Sequence, residues 1–551
     1  MVGVPKVNQA YVWGLTETGT DAAGDRVTSP AGGVTGERKL WFGSAANVLC
    51  LVMGGLFTQA GLPLTPFQDG RLACEFGSSN YRATNPSLNI PASLGDTRPP
   101  QIYNYDVHTK TLTNITPTSM QDPSNLDPLT LGLRSAGSLS GVVILAGPTI
   151  ASLPSPDAGI NMFAYNSTTG QFIGAQHYSQ YIDIRSWLAV GSVLYAGVMN
   201  SDGTGSVLRW TGNTSNPFQF ENVGNLDLSA AYLVAHKGRI FATTWPGTFS
   251  GIPTTTPAGL WMSPAIPTGG LTPANVAQWS KVWSATNYEP DPLTALSWPG
   301  GALSSYDGQL YWGLMQVPMT AALTHLVTYG IPLTPANIAL AILGTERAIP
   351  IFRCCTNLSH PHAELLYGAR KMPVQSPTSP HGWSIQPNAM GVAPEYGPAG
   401  FGNPFNTYTW SGHSFFGHLF FGTFDWSFVL DALPDADFTA FGLDRLENGG
   451  STFGGLPNFL TAADIAEDEL LDPAGDIWMF ASGTTPAAPF TRNGLGDPLN
   501  YGFRTMISDS QALFVGSANP FNLKTDPDKN GRLASLLHHA ALSGDWNERV
   551  P

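Results

Sequence analysis

The chain of 551 residues contains 61 glycines and 45 prolines, whereas aspartate, glutamate, lysine and arginine together make up only 12% of it. This composition excludes a coiled coil or helical bundle, and a hydrophobic content of 42% excludes a disordered chain because it can fill a large core. The formal net charge of −14 argues against nucleic acid as a partner, since phosphate binding requires clustered lysine and arginine.

The compartment is predicted from apolar runs and small polar residues. The longest strongly apolar run, 45–57, contains two glycines and is too short for a membrane span, so no span is expected. Low charge and Pro-rich loops favour a secreted or periplasmic protein, although the sequence opens without a recognisable signal segment. Cys50 and Cys74 have a separation suited to one disulfide between neighbouring strands, with two buried thiols as the alternative. For the adjacent Cys354 and Cys355, two reduced side chains on opposite faces of a strand are favoured over a vicinal disulfide.

One short phrase recurs along the chain: a residue at a turn, two apolar or aromatic residues, one further residue, and then Gly or Thr. The seven copies are 39–43, 143–147, 193–197, 239–243, 309–313, 418–422 and 512–516. An apolar strand and a turn precede the phrase, so each copy is predicted to be the second strand of a hairpin.

The clearest unit runs from Ile182 to Phe220 and contains four short antiparallel strands. A four-stranded sheet repeated at a period of about 45 residues is a propeller blade. Seven copies therefore predict an all-β fold, a seven-bladed β-propeller of four-stranded antiparallel blades. No linker-like change of composition divides the chain, so 1–551 is expected to be a single domain with insertions near 318–347, 371–406 and 455–475.

The recurring phrase resembles the second strand of kelch-like propeller blades, although the kelch double glycine and regularly placed Trp are absent. The resemblance implies the architecture of nearly the whole chain and no particular activity. Short helices are predicted in the insertions, after Thr272 and Thr334, where a capping Thr precedes Pro at the first helical position. Tyr11–Trp13 is predicted to be an outer strand that closes the ring with the last blade.

Three arginines and a tryptophan stand at equivalent places before the phrase. Arg185, Trp410 and Arg504 lie twelve residues before its terminal Gly, and Arg134 lies thirteen before. Because these positions fall on the innermost strands, the arginines are predicted to converge on the axis and to bind a carboxylate, sulfate or phosphate group. The alternative is that each arginine pairs with a carboxylate such as Asp183 or Asp425 and ties strands together.

Polar side chains follow the phrase. Three residues beyond its terminal Gly stand Asn200, Gln316, Asp425 and Asn519, with Asn47 one place further in the first blade. They are predicted to surround one end of the central opening, where short amides suit a sugar or another small polar ligand. The alternative is that they are turn residues that satisfy their own backbone.

Metal sites are weakly indicated. His360, His362 and His381 are candidate ligands for copper or zinc, but no spacing among the eleven histidines is diagnostic. The loop 526–531 is a candidate for structural calcium.

Three functions remain open at this stage. The first is an extracellular enzyme, a hydrolase or lyase, that binds an anionic or saccharide-like substrate at one mouth of the channel, with Asp425 or His413 as acid or base. The second is a non-catalytic propeller that engages a polymer, other subunits or further copies of itself, with Phe401, Phe405 and Trp383 as contact residues. The third is a metal oxidoreductase with histidine ligands. The fold alone does not choose among them.

Overall fold

The computed structural model describes residues 10–19, 38–45, 86, 98–151, 155–246, 255–376, 378–427, 452–453, 456–457, 474–498, 500–508 and 512–519. Within these residues the chain forms short antiparallel strands and few helices. Each of the first five sheets consists of four strands that are consecutive along the chain: β1 (Tyr11–Thr18), β2 (Lys39–Ala45), β3 (Ile102–Asp106) and β4 (Thr111–Asn114); β5 (Ser135–Leu139), β6 (Val142–Pro148), β7 (Ile160–Asn166) and β8 (Phe172–Tyr178); β9 (Tyr181–Val190), β10 (Val193–Asn200), β11 (Gly205–Trp210) and β12 (Phe220–Leu226); β13 (Ser229–His236), β14 (Arg239–Trp245), β15 (Gly259–Met262) and β16 (Ser280–Ser284); β17 (Gly300–Tyr306), β18 (Gln309–Leu314), β19 (Ile351–Cys354) and β20 (Glu364–Tyr367).

The remaining strands form a sixth sheet, a seventh hairpin and two short hairpins within insertions. The short hairpins are β21 (Lys371–Ser376) with β22 (Ser379–Pro387), and β25 (Thr452–Phe453) with β26 (Leu456–Pro457). The sixth sheet contains β23 (Asn406–Phe415), β24 (His418–Asp425), β27 (Ile477–Phe480) and β28 (Ala487–Thr491). The seventh hairpin pairs β29 (Gly502–Ser508) with β30 (Leu513–Ala518). Single pairs, Phe424 with Gly502 and Tyr11 with Ala518, join the sixth sheet, this hairpin and the first sheet into one continuous sheet.

The first strands of these seven units form a closed ring. In order around it, β1, β5, β9, β13, β17, β23 and β29 each contact the next, and β29 contacts β1. Radially arranged antiparallel sheets around a common axis define a β-propeller, so the predicted all-β propeller fold is confirmed. The described part of the seventh unit holds two strands, and the count of seven complete four-stranded blades stays a prediction.

All seven copies of the recurring phrase are second strands, as predicted: β2, β6, β10, β14, β18, β24 and β30. The predicted role of Tyr11–Trp13 as an outer strand of the last blade is wrong. These residues begin β1, which pairs with β2 over its whole length and with β30 only between Tyr11 and Ala518. Tyr11 and Trp13 are buried at the axis, which is the environment of an inner strand.

The terminal Gly of the phrase lies where the second strand of one sheet meets the first strand of the next. A Cβ atom on Gly197 would lie 2.6 Å from the carbonyl oxygen of Ala230, the second residue of β13. In the fourth sheet, where Thr243 replaces the glycine, the next sheet supplies Gly300 and Gly301, and the Thr243 hydroxyl donates to Gly301 O at 3.0 Å. One of the two facing positions must therefore lack a side chain.

Apolar side chains fill the space between neighbouring sheets. Ile144 and Met162 of the second sheet share a buried cluster with Ile184 and Leu208 of the third, and equivalent clusters lie between the other described sheets. Full burial of such a side chain contributes about 1.5–3 kcal/mol to the free energy of unfolding. These interfaces hold the first strands at fixed positions around the axis.

In the described part of the chain three α-helices decorate the ring: α1 (Pro292–Leu296), α2 (Thr320–Thr328) and α3 (Pro335–Thr345). The helix predicted after Thr334 is confirmed, and Thr334 Oγ1 accepts the backbone N–H of Asn337. The cap predicted after Thr272 begins a 3-10 helix, Pro273–Gln278. Most of the insertion near 455–475 lies outside the described residues.

Helices α2 and α3 lie at one end of the channel. They connect β18 to β19, and the last residue of β18, Leu314, pairs with Gly300 at the start of β17. The helices therefore extend from the end at which first strands begin, which we call the cap end. The opposite end, where hairpin turns join first to second strands, is the turn end. Among the described residues no helix has the length and apolar character needed to cross a membrane.

Cys354 and Cys355 form a vicinal disulfide, so the expectation of two reduced side chains on opposite faces of a strand is wrong. Cys354 is the last residue of β19, and Cys355 has a positive φ of 72°. The alternation of side chains along a strand therefore does not continue to Cys355. Cys50 and Cys74 lie outside the described residues, and their disulfide stays a prediction.

We expect Gly197→Ala to lower the free energy of unfolding by about 1–3 kcal/mol, because the new methyl group meets a backbone carbonyl that cannot rotate away. Gly174→Ala on the outer strand β8 is the matched control, since its Cβ would lie 3.6 Å from a ring carbon of Phe218, an ordinary contact. Urea unfolding of both variants measures the difference. Equal stability of the two would contradict the proposed role of the terminal glycine.

Candidate axial site

The three predicted arginines meet at the axis near the cap end. Arg134 immediately precedes β5, Arg185 lies in β9 and Arg504 in β29, and each is only 4 or 5% exposed. Arg504 Nη1 donates to the hydroxyl of Tyr232 in β13 at 3.2 Å. Because β29 and β13 belong to the seventh and fourth units, which are not neighbours in the ring, this hydrogen bond crosses the axis.

Aromatic rings flank two of the guanidinium groups. The Arg185 guanidinium carbon lies 3.6 Å from the ring centroid of Trp245, and that of Arg134 lies 5.1 Å from Trp13 and 5.8 Å from Trp245. These distances are within the range of cation–π attraction. Burial first, and the charge of Arg134 second, lower the pKa of Arg185 to about 9, so the group stays charged at neutral pH.

One carboxylate serves two of the arginines. Asp183 Oδ2 accepts from Arg134 Nη1 at 2.8 Å and lies 3.5 Å from Arg185 Nη1, while its Oδ1 accepts from the N–H of Ile184. The alternative interpretation, pairing with Asp183, therefore holds for Arg134 and in part for Arg185. Arg185 Nε and Arg504 Nη2 are buried and make no hydrogen bond within the described residues.

Tyrosines of the site were missed by the sequence analysis. Tyr232 bridges the channel, because it also donates to the backbone carbonyl of Trp410 at 2.7 Å. Tyr408 is affected electrostatically by Arg185 and Arg134, and burial raises its pKa. Tyr501 donates to Tyr11. Tyr232 lies eleven residues before Thr243, one fewer than the twelve that separate Arg185 and Arg504 from their glycines, so the count used for the arginines does not reach it.

The helical insertion closes the cap end. Trp410, Trp13 and Trp245 belong to one buried cluster with Ala322 and Leu326 of α2 and Ile338 and Ala341 of α3. The Trp410 ring packs edge-on against Tyr11 and Phe424. Trp410 is therefore held by its neighbours on all sides, and its predicted contact with a substrate stays a prediction.

Buried polar pairs fix the insertion in place. Arg347, directly beyond α3, forms two hydrogen bonds to Glu289, Nε to Oε2 at 3.1 Å and Nη2 to Oε1 at 3.3 Å. His325 in α2 pairs with Asp291, the N-cap of α1, at 3.0 Å. Loss of one partner of such a pair leaves a buried charge or polar atom unsatisfied.

The predicted polar side chains are distributed among local contacts. Asn200 donates to Thr204 and Ser206 in its own turn, as in the alternative interpretation. Gln316 is buried and donates to Thr345 O at the end of α3. Asn519 donates to Asp497 and Asn500. Asn47 lies outside the described residues.

The structure separates the two predicted acid and base residues. Asp425 pairs with Asn406 at the cap end of the β23–β24 hairpin, whereas His413 pairs with Phe420 near its turn. Phe420 lies five residues before Asp425 on β24, a span of roughly 17 Å. Asp425 accepts from Asn403 Nδ2 at 2.7 Å, and His413 Nε2 lies 2.8 Å from Ser508 Oγ. Burial lowers the pKa of His413 to about 4, so its ring is neutral at pH 7.

A carboxyl group that the sequence analysis did not single out lies next to Asp425. Asp476 Oδ2 accepts from Asn406 Nδ2 at 2.7 Å and from Trp478 Nε1 at 3.2 Å. Burial first, and the charge of Asp425 second, raise the pKa of Asp476 to about 7. Asp476 therefore changes charge close to physiological pH.

The predicted histidine ligands do not form a cluster in the part of the chain that the structure describes. His360 and His362 are exposed, and the side chain of His381 is not among the described ones. Within the described ranges no group of three or more His, Cys, Asp or Glu side chains could hold a metal ion. The calcium loop 526–531 lies outside these ranges, so both metal sites stay predictions.

Comparisons with known proteins add little to this geometry. No family model and no curated protein matches the chain. The β-propeller domain of the Trilobed protease from Pyrococcus furiosus is similar at 9% sequence identity, over 50% of this chain and 63% of that chain, with a TM-score of 0.25. An α-L-arabinofuranosidase from Clostridium thermocellum is similar at 13% identity, over 58% of this chain and 88% of that chain, with a TM-score of 0.26. An α-L-arabinanase from Cellvibrio cellulosa is similar at 11% identity, over 48% of this chain and 88% of that chain, with a TM-score of 0.25. The chain thus spans less than two thirds of the protease domain. TM-scores this low carry no argument about function, and the assignment of this chain to the β-propellers rests on its own strand order.

We expect Asp476→Asn to change how stability depends on pH. The folded-state pKa of Asp476 lies above the ordinary value, so its contribution is most favourable below about pH 4 and is lost as pH rises through about 7. Asparagine imitates the protonated acid, so the variant should gain on the order of 1–4 kcal/mol relative to wild type between pH 4 and pH 8.

Urea-unfolding midpoints at several pH values measure this change. Asp202→Asn is the control of opposite sign, because hydrogen bonds from Thr204 lower the pKa of this exposed carboxyl. Parallel pH profiles for wild type and Asp476→Asn would show that folding does not raise the pKa of Asp476.

Proposed function

We propose that the chain is a ligand-binding β-propeller whose axial arginines receive the anionic group of a small polar or sugar-like molecule. One observation carries this proposal: the buried guanidinium groups of Arg185 and Arg504 meet at the axis with donor atoms that no described residue accepts. Burial of a charged group without compensation is costly. An anion that accepts from both groups would remove that cost.

Access from the turn end is supported by the burial pattern of three of the seven first strands, β9, β23 and β29. In β5, β13 and β17 buried side chains continue towards the turns, to Ser138, His236 and Tyr306. In β9 and β29 the residues up to Arg185 and Arg504 include the buried ones, and every residue beyond each arginine is half-buried. In β23 burial likewise ends at Ser411. The cap end is closed by the cluster of α2 and α3. A ligand would therefore enter between the hairpin turns and meet the arginines at the closed end.

A catalytic role is a second candidate, favoured by His413. This residue and its hydrogen-bond partner Ser508 lie on first strands towards the turn end, along the proposed access route. A neutral imidazole can take a proton from a substrate hydroxyl or water. In such an enzyme His413→Ala would abolish turnover and leave binding intact, whereas loss of the axial arginines would abolish both.

The purely structural alternative is weakened by the residues on which it depended. Phe401 and Phe405 are buried rather than exposed, and Trp383 stacks on His325 in the cap. They are packing residues of the insertion. Export from the cell, self-association and the binding of a polymer remain proposals without a surface to support them among the described residues.

We expect the double variant Arg185→Met/Arg504→Met to lose all stabilisation by anions. Removing two uncompensated buried charges should leave the unliganded fold equally stable or more stable, so the variant remains testable. Thermal unfolding in glucuronate, sulfate and phosphate measures the effect, with wild type expected to shift upward.

Arg209→Met is the matched control, because Arg209 lies on the third strand β11 and donates to Leu271 O, away from the axis. It should keep the wild-type response to anions. If the double variant responds as wild type does, or wild type responds to none of the three anions, the axial site is not an anion site.

A further inference from the structure

We infer that the ligand group bound at the axis carries two negative charges, as a phosphate monoester or a dicarboxylate does. This inference rests on the proposed function, which it makes more specific. It follows from the number of positive and negative charges at the site and from the positions of two donor atoms that are unpaired within the described residues, Arg185 Nε and Arg504 Nη2.

Counted over the residues that the structure describes, the charges at the axis leave an excess of two positive charges. Asp183 is closest to Arg134, at 2.8 Å, and these two groups form a neutral pair. Apart from Asp183, the described groups that contact Arg185 and Arg504 are uncharged. The Arg185 guanidinium lies over the Trp245 ring, and Arg504 donates to the Tyr232 hydroxyl. Among the described residues, Asp183 is the carboxylate with a short contact to Arg185, whose charge is also opposed by those of Arg134 and Arg504.

Repulsion between the remaining charges is strong in this setting. Arg185 and Arg504 are both buried, and interactions between charges are several times stronger at low effective dielectric than in water. A singly charged ligand would neutralise one guanidinium and leave the other uncompensated. A doubly charged ligand would neutralise both.

The donor atoms favour a ligand group with oxygens in more than one direction. Arg185 Nε belongs to the third unit of the ring and Arg504 Nη2 to the seventh, so the two donor atoms come from first strands that are not neighbours. A planar monocarboxylate engages one guanidinium through both of its oxygens. A tetrahedral phosphate, or two carboxylates on one short chain, presents oxygens to both arginines at once. Tyr232 lies against Arg504 and supplies a neutral hydroxyl beside them.

Paired ligands of equal shape and different charge test the inference. We would measure binding to the full chain at pH 7.5 by titration calorimetry, with glucose 6-phosphate against glucose 6-sulfate, and succinate against its monomethyl ester. Wild type should bind the doubly charged member of a pair at least tenfold more tightly. The phosphate and succinate arms distinguish a phosphate ester from a dicarboxylate as the preferred class.

Arg504→Met reduces the excess to one charge, so this variant should still bind the singly charged ligands and should lose the preference for the doubly charged ones. Arg209→Met should keep that preference. Equal affinity of wild type for both members of each pair, or an unchanged preference in Arg504→Met, would overturn the inference while leaving anion binding at the axis intact. Failure of every ligand to bind wild type would instead refute the proposed function itself.

Discussion

The architecture depends on how closely the second strand of each sheet approaches the first strand of the next. At Gly197 and Gly313 the facing atoms, Ala230 O and Thr409 Oγ1, leave no room for a methyl group. Where the fourth sheet carries Thr243, glycines on the fifth sheet restore the clearance. Because this contact sets the spacing between sheets, it also sets the radius of the ring and brings side chains of distant sequence segments within reach across the axis. The bond from Arg504 to Tyr232 depends on that radius.

Burial and charge oppose each other at the axis. Helices α2 and α3 cover the cap end with apolar side chains, which excludes water from the arginines and strengthens every electrostatic interaction among them. Stacking of Arg185 on Trp245 and pairing of Arg134 with Asp183 offset part of the cost. This balance supports the proposed anion site, since an anion gains most where protein groups have left a positive potential uncompensated.

The fold was predictable from sequence because one constraint repeats. Every copy of the phrase needs a turn before it, two apolar residues facing neighbouring sheets and a small residue at its end, so the copies are recognisable despite uneven spacing. Convergence of Arg134, Arg185 and Arg504 followed from their equivalent places. Asp476 was not predictable, because its high pKa arises from burial beside Asp425, and the contact between their loops leaves no local pattern. The vicinal disulfide was missed because a positive φ at Cys355 is not visible in the sequence.

The separation of Asp425 from His413 shows that closeness in sequence does not bring two side chains into one site of a propeller. Residues on one hairpin are close in sequence, yet five residues of strand, from Phe420 beside His413 to Asp425, separate them along the channel. Residues at the same level on different first strands, such as Arg185 and Arg504, are distant in sequence and meet at the axis. Level along the first strand, rather than distance along the chain, therefore decides which side chains share a site. By that criterion Tyr232 belongs with the arginines, and His413 belongs with Ser508 towards the turn end.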